Sequence, residues 1–293
     1  NKKLYAAIGA TVLICAAAAG FYFSSLAYRL NRLAAGKDCR VGAAVIAGSR
    51  TFVHGEGKYP LLSVFKLFIA VQVLDKLGRE NTDPCKTELT ITRDMIDERT
   101  YSPMRDERRT YPYGISVARL LEYMVAESDN NAADILLAYA GGAEQTQAYL
   151  NRLGFGGIEV SVNEREMNAD IAKQYVNRAS PADVVRFLKT VREGDILTPE
   201  NRKFFDKIMT ATVTGGDKLK AGLPQGTVFG HKTGSSSRTA EGIKIADNDA
   251  GFVILSDGRT YYIAVMVSDS RMSDRENAAL AAEISAVVYN RLR

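Results

Sequence analysis

The chain has 293 residues, 46% hydrophobic and 25% charged, a balance that suits one or two globular domains with a substantial core. The formal net charge is +4, but the basic residues are scattered among acidic ones without a basic stripe, which argues against a nucleic-acid partner. Two histidines and three cysteines stand at no spacing typical of metal ligands, so we expect neither a metal site nor a cofactor.

The N-terminal segment predicts export. Lys2 and Lys3 precede an uncharged run over 4–28, and the alanines at 17–19 offer a cleavage site. We therefore expect 1–19 to be a signal peptide and the protein to be periplasmic or secreted. The run is also long enough to span a bilayer, so an uncleaved membrane anchor is the alternative. In an oxidising compartment, Cys39 and Cys85 are expected to form a disulfide.

The first elements after this segment are a helix and a hairpin. Ser24 and Ser25 can cap a helix that carries Leu26, Leu30 and Leu33 on one face and ends at Gly36. Apolar residues over 41–47 and 51–54 then predict two strands joined by a short turn.

An apolar run from Pro60 to Leu77 predicts a buried helix closed by Gly78. On a helix, the Ser63 hydroxyl and the Lys66 ammonium share one face, where a desolvated lysine can help to activate a serine nucleophile. The alternative for Ser-x-x-Lys alone is a helix N-terminus whose lysine simply reaches water.

The rest of the chain changes pattern twice. A polar, turn-rich stretch over 82–100 leads into a helical region over 101–197, and an apolar helical stretch there is followed by Ser128-Asp129-Asn130. After Gly226 the alternation predicts strands over 228–235, 250–255 and 260–267, the first of which contains Lys232-Thr233-Gly234. Asp274 or Ser273 caps a last helix to Arg293. The layout predicts an α+β fold, with an α/β domain over 20–59 and 211–293 and an inserted all-α domain over 60–210.

Ser-x-x-Lys, Ser-Asp-Asn and Lys-Thr-Gly, in this order, resemble the motifs of the penicillin-recognising serine hydrolases, and the resemblance runs from about Leu26 to Arg293. The resemblance implies an antiparallel sheet covered by terminal helices, beside an all-α domain, with the active site in the cleft between them.

The resemblance also implies roles for the residues of the first two motifs. Ser63 would be the nucleophile and Lys66 its proton partner. Ser128 would pass a proton to the leaving lactam nitrogen, Asp129 would tie down its loop, and Asn130 would hold the substrate's side-chain amide.

The third motif would supply the other side of the cleft. Lys232 would add positive potential beside Ser128, Thr233 would bind the substrate carboxylate, and Gly234 would let the strand approach the ligand. The backbone N–H groups of Ser235 and Ser63 would form the oxyanion hole.

The segment 163–170 resembles the Ω-loop of class A β-lactamases, with Met167 where leucine is usual. Glu164 would activate the hydrolytic water, Asn168 would be a second ligand to it, and Glu166 would be structural. Taken alone, the segment could also be a charged surface loop. Tyr101 matches the family's aromatic residue at the cleft mouth.

Many class A enzymes bind the substrate carboxylate with an arginine at a position that is Glu241 here, and Arg238 or Lys218 could replace it. The segments around 101–104, 163–168 and 214–219 resemble the subgroup of extended-spectrum cephalosporinases. We therefore expect an exported, monomeric class A β-lactamase that acts on small-molecule penicillins and cephalosporins. The alternatives are a D-alanyl-D-alanine carboxypeptidase and a membrane-anchored penicillin-binding sensor domain.

Overall fold

A computed structural model describes residues 26–293. The predicted signal peptide, its cleavage site, and Ser24 and Ser25 lie outside these residues. Within 26–293, no helix is both long and apolar enough to cross a membrane.

The sheet has five antiparallel strands in the order β2-β1-β9-β8-β7. Their bounds are β1 Arg40–Ala47, β2 Arg50–His54, β7 Val228–Ser235, β8 Lys244–Ile254 and β9 Thr260–Ser270. The predicted hairpin and β7 are confirmed, whereas β8 and β9 are longer than predicted. The first half of β8 carries the buried polar residues Asp247, Asn248 and Asp249, which obscured the apolar pattern of a strand.

Two helices cover one face of the sheet, as the fold prediction required. Helix α1, described over 26–34, and helix α10, Asp274–Leu292, pack against the same apolar cluster as alternate residues of β1. Leu26 and Leu30 are fully buried there. Ser273 begins α10, since its side chain and that of Glu276 each accept the other's backbone N–H.

The opposite face of the sheet joins a larger core formed by the remaining helices. These are α2 Lys66–Arg79, α3 Pro103–Glu107, α4 Val117–Ala126, α5 Asn130–Tyr139, α6 Gly142–Arg152, α7 Glu164–Ala169, α8 Pro181–Glu193 and α9 Pro199–Thr210. The α+β prediction is confirmed, while the proposed domain boundaries stay a prediction.

Four short strands interrupt the region between β2 and β7. β3, Tyr59–Pro60, pairs with β6, Arg178–Ala179, and β4, Glu88–Ile91, pairs with β5, Tyr113–Ser116. The prediction of no strands over 101–197 was therefore wrong. Strands this short show too little alternation to be recognised, because distant partners stabilise them.

Candidate active site

Ser63 lies in a 3-10 turn, Leu62–Phe65, that leads directly into α2. The expected single helix therefore begins with a tighter turn, and it ends at Arg79, one residue after Gly78. Leu62 adopts a left-handed backbone conformation with φ of 44°. The buried amide of Asn248 holds the preceding chain by donating to the carbonyl oxygens of Pro60 and Leu61, at 2.7 and 3.2 Å.

Lys66 is fully buried among oxygen atoms from two other segments of the chain. Its Nζ lies 2.8 Å from the carbonyl oxygen of Ser128, 2.6 Å from Asn130 Oδ1 and 2.9 Å from Glu164 Oε1. The hydroxyl of Ser63 donates to the same Glu164 oxygen at 3.2 Å. The nucleophile candidate and the lysine therefore meet at one carboxylate oxygen.

The loop that carries Ser128 is fixed by its neighbour Asp129, as expected. Asp129 caps α5 by accepting from the backbone N–H of Ala132, and it also accepts from Ser102 Oγ and the backbone N–H of Met104. Burial raises the pKa of this carboxyl group. These bonds hold Ser128 with φ of 62°, in the left-handed region.

Lys232 reaches Ser128 from β7. Its Nζ donates to Ser128 Oγ at 2.8 Å and to the carbonyl oxygen of Thr233 at 2.9 Å. Full burial, followed by repulsion from the Lys66 ammonium, lowers the pKa of Lys232 well below its usual value. Burial thus favours the uncharged form of Lys232 more than solvent would, beside the hydroxyl of Ser128.

Gly234 brings β7 against the turn that carries Ser63. A Cβ at this position would lie 2.4 Å from the carbonyl oxygen of Leu61 and 3.2 Å from the backbone nitrogen of Ser63. The close approach expected here is thus made to the protein's own backbone. Beside it, the hydroxyls of Thr233 and Thr214 are 2.7 Å apart.

The segment that carries Glu164 is a short helix, α7, and not only a loop. Asn163 caps it in a capping box with Glu166, so the structural role predicted for Glu166 is confirmed. Asp134 accepts the backbone N–H of Glu164 at 2.7 Å and that of Arg165 at 3.0 Å. Burial raises the pKa of Asp134 to about 6.

An open cleft of about 300 Å³ lies over these groups. The sequence-predicted residues that line it are Ser63, Tyr101, Asn130, Glu164, Asn168 and Ser235. Tyr101 is 57% exposed, which suits the predicted position at the mouth. The other predicted residues lie behind or beside this lining and take part in the hydrogen bonds described above. They are Lys66, Ser128, Lys232, Thr233 and Gly234.

The two basic residues considered for the missing arginine differ in position. Arg238 donates to the carboxylate of Asp274 and to the carbonyl oxygens of Gly242 and Met272, at the start of α10. Lys218 is buried beside the cleft, with its Nζ 2.9 Å from Ser235 Oγ and 2.5 Å from Asp247. The geometry therefore favours Lys218 as the cation beside the third motif.

Several residues that hold the site were missed by the sequence analysis. Thr100 accepts from the side-chain amide of Asn130 at 2.7 Å. Asn177 is buried and bridges the ends of the α7 segment, accepting the N–H groups of Ser161 and Val162 and donating to the Val162 carbonyl. Asp134, a polar residue inside the apolar stretch of α5, was the one available signal.

The predicted disulfide between Cys39 and Cys85 is wrong, since both thiols are free. Cys39 directly precedes β1 and packs against the cluster under α1 and α10, whereas Cys85 is exposed in the turn before β4. His231 stacks on Phe229 and contacts Asp249, so it is packed into the sheet. Within 26–293, no group of three or more acidic, histidine or cysteine side chains could hold a metal ion.

Comparisons with known proteins show which family the chain is similar to. A family model described as "Beta-lactamase enzyme family" matches residues 25–292. A beta-lactamase of Bacteroides uniformis is 40% identical over 273 residues, covering 92% of each chain. The extended-spectrum beta-lactamase PER-1 of Pseudomonas aeruginosa is 32% identical over 99% of this chain and 96% of its own.

Solved structures give the same answer. A class A beta-lactamase from Bacteroides cellulosilyticus superposes with a TM-score of 0.90 at 39% identity, over 92% of this chain and 98% of that one. The TLA-1 extended-spectrum beta-lactamase does so with a TM-score of 0.89 at 34% identity, over the same shares. The chain belongs to the beta-lactamase enzyme family.

Proposed function

We propose that this chain opens the lactam amide of penicillins and cephalosporins and releases the product by hydrolysing an ester on Ser63. The observation that carries the proposal is the carboxylate of Glu164, which lies 3.2 Å from Ser63 Oγ and 2.9 Å from Lys66 Nζ. A base in contact with the nucleophile can also serve the water that must later attack the ester.

Acylation begins when Ser63 Oγ bonds to the lactam carbonyl carbon and gives its proton to Glu164, which it contacts, or to Lys66, which contacts the same carboxylate oxygen. The C–N bond then breaks, and the lactam nitrogen takes the proton of the Ser128 hydroxyl. Lys232 contacts the Ser128 hydroxyl and can return a proton to it, whereas Lys66 contacts only the backbone carbonyl oxygen of Ser128. The proton taken from Ser63 then replaces the one that Lys232 gave, which leaves Glu164 ionised for the next step.

Deacylation requires a water molecule to attack the ester carbonyl. Glu164 takes a proton from this water, the C–O bond to Ser63 breaks, and the Ser63 oxygen takes that proton from Glu164, which it contacts. Asn168 also lines the cleft, which supports the proposal that it holds the water from a second side. The bonds from Asp134 to the start of α7 fix the backbone that carries Glu164.

Substrate binding falls to the β7 side of the cleft. The backbone N–H groups of Ser63 and Ser235 would donate hydrogen bonds to the developing oxyanion, an interaction worth about 3–4 kcal/mol for one donor in such sites. The hydroxyls of Thr233 and Ser235 would bind the substrate carboxylate. Lys218, in contact with Ser235 Oγ, would supply the charge that an arginine supplies in many relatives.

Two similar proteins, PER-1 and TLA-1, are named extended-spectrum beta-lactamases, and this supports cephalosporins as substrates of this chain too. Tyr101 at the mouth would pack on the substrate side chain. We further propose that the protein is exported by its N-terminal segment to the periplasm or the medium, and that it acts as a monomer.

A carboxypeptidase or a penicillin-binding sensor would need Ser63 and Lys66, but neither needs a carboxylate that serves a deacylating water. Steady-state hydrolysis of a chromogenic cephalosporin by purified 21–293 separates these functions. We expect many turnovers per enzyme, and none with Ser63→Ala. A single stoichiometric burst without further turnover would instead favour the carboxypeptidase or the sensor.

A further inference from the structure

A second cavity lies on the far side of α7 from the cleft. It measures about 400 Å³, within the range of small-molecule sites, and none of its lining residues lines the cleft. Its wall is mostly apolar and comes from β4, the segment after it and α5, chiefly Leu89, Ile91, Met95, Ile135 and Tyr139. The polar side chains at its edge are those of Asp134, Asn163, Arg165 and Thr90.

Asp134 is the acidic group of this cavity. Its carboxylate contacts two backbone N–H groups, and a carboxylate can accept about four hydrogen bonds, so it keeps room for further donors. Burial has the largest effect on the pKa of Asp134 and raises it. Repulsion from the Glu164 carboxylate raises this pKa further, while attraction to the more distant Lys66 ammonium lowers it. The carboxylate is therefore poorly solvated for an ionised group, and a cation beside it would compensate.

Arg165 does not provide this cation. It is exposed at the mouth of the cavity, and its guanidinium donates to the backbone carbonyl oxygens of Asp94 and Met95, at 3.3 Å each. Among its polar side chains Asp134 thus offers an acceptor, and the rest of the wall offers hydrocarbon. This combination matches a ligand with an apolar body and one positively charged donor.

We propose that this cavity binds a small amphiphilic ammonium ion, with its hydrocarbon against the apolar wall and its N–H groups donating to Asp134. We also propose that binding slows turnover, a coupling that rests on the proposed function of Glu164. Asp134 Oδ1 is 2.7 Å from the backbone nitrogen of Glu164, whose side chain contacts Ser63. A third, positively charged donor on the carboxylate draws its negative charge away from the two backbone N–H groups, which weakens their hydrogen bonds and loosens their hold on α7.

The test uses cyclohexylmethylamine, which is protonated at neutral pH, and the uncharged cyclohexylmethanol as its isostere. Both are titrated into the purified protein by ligand-observed NMR, which needs no catalysis. A charge-assisted hydrogen bond in place of a neutral one predicts that the amine binds about tenfold more tightly than the alcohol. With Asp134→Asn, the two affinities should become similar.

Ala138→Phe supplies a variant that does not alter the carboxylate. Ala138 is an exposed residue of α5 that lines the cavity, so phenylalanine should fill the space and abolish binding. Ala279→Phe, at an exposed position of α10 outside the cavity, is the matched control and should bind as the parent does. If Asp134→Asn does not fold, the comparison of these two variants still decides.

Saturating amine should lower the steady-state turnover of a chromogenic cephalosporin by about fivefold in the parent and in Ala279→Phe, but not in Ala138→Phe. Equal affinity for amine and alcohol, or amine binding that survives Ala138→Phe, would overturn the site. Cavity binding with unchanged turnover would overturn the coupling. A protein that binds the amine as expected but never hydrolyses cephalosporins would contradict the proposed function and leave the site standing.

Discussion

β7 passes the candidate nucleophile so closely that position 234 has no room for a side chain. A Cβ there would lie 2.4 Å from the carbonyl oxygen of Leu61 and 3.1 Å from the backbone nitrogen of Val64. This carbonyl group is also held by the amide of Asn248 and by the N–H of Val64, at 3.2 Å each. Gly234→Ala must therefore displace either β7 or the turn that carries Ser63.

The size of the effect follows from the size of the clash. The distance from the added Cβ to the Leu61 carbonyl oxygen must increase from 2.4 Å to at least 3.0 Å before it resembles any real Cβ contact. The Cβ is fixed to the backbone of β7 and the oxygen is a backbone atom, so no side chain can rotate to relieve the clash. Overpacking of this kind costs about 1–3 kcal/mol of stability. A misplacement approaching 1 Å at the nucleophile costs up to about 10²-fold in rate, so we expect kcat to fall by about 10–10²-fold.

Two other glycines separate lost catalysis from lost stability. Gly230→Ala, in the same strand, would place a Cβ 2.4 Å from the ring of Phe252, a clash with a side chain away from Ser63. Gly114→Ala, in β5, would meet nothing closer than 3.5 Å. Thermal unfolding and steady-state hydrolysis of a chromogenic cephalosporin are measured on all three variants.

We expect Gly230→Ala to lose stability with near-parental kcat, Gly114→Ala to change neither by much, and Gly234→Ala to lose both. Parental kcat in Gly234→Ala would refute the reasoning. An equal loss of kcat in Gly230→Ala would refute it as well, because the effect would then come from general destabilisation of β7.

Two further predictions concern groups around the cleft. Lys218→Ala should raise the KM for penicillins more than it lowers kcat, because Lys218 contacts Ser235 beside the cleft. Arg238→Ala should leave KM unchanged, because Arg238 is bound at the start of α10. The reverse ranking of the two variants in steady-state kinetics would contradict this. The folded-state pKa of Asp134 is raised to about 6, so the stability that protonation of this carboxyl contributes is present below about pH 4 and is lost as pH rises through 6. The free energy of unfolding, measured with denaturant, should therefore differ between the parent and Asp134→Asn in a way that depends on pH. The difference should favour the parent by about 1 kcal/mol more at pH 5 than at pH 7, and a difference independent of pH would contradict the assignment.

The elements that the sequence predicted best are those whose pattern is local. The hairpin β1–β2, the strand β7 and the capped helix α10 each carry a regular alternation or a capping residue that needs no distant partner. The beginning of β8 carries no such local pattern. Asp247 and Asn248 are buried there because Lys218 and the backbone before Ser63 supply their hydrogen bonds, and the sequence does not show such partners.

The same distinction applies to the site. The resemblance of three short motifs was enough to predict Ser63, Ser128 and Lys232 as site residues. In the structure Ser128 contacts both Lys232 and Lys66, the lysine of the first motif. Asp134 and Asn177 could not be found in this way, because each acts on backbone groups far along the chain. The disulfide failed for a related reason, since the compartment permits a bridge but only the fold decides whether two thiols meet.

The account rests most heavily on Glu164 as the group that separates hydrolysis from mere acylation. The direct measurement is intact-protein mass spectrometry of Glu164→Ala mixed with a cephalosporin, beside steady-state turnover. General-base catalysis is worth about 10²–10⁴-fold, so turnover should fall by that factor while an adduct on Ser63 persists for minutes or longer. Ser63→Ala should form no adduct. Turnover of Glu164→Ala at the parental rate, without a lasting adduct, would contradict the account.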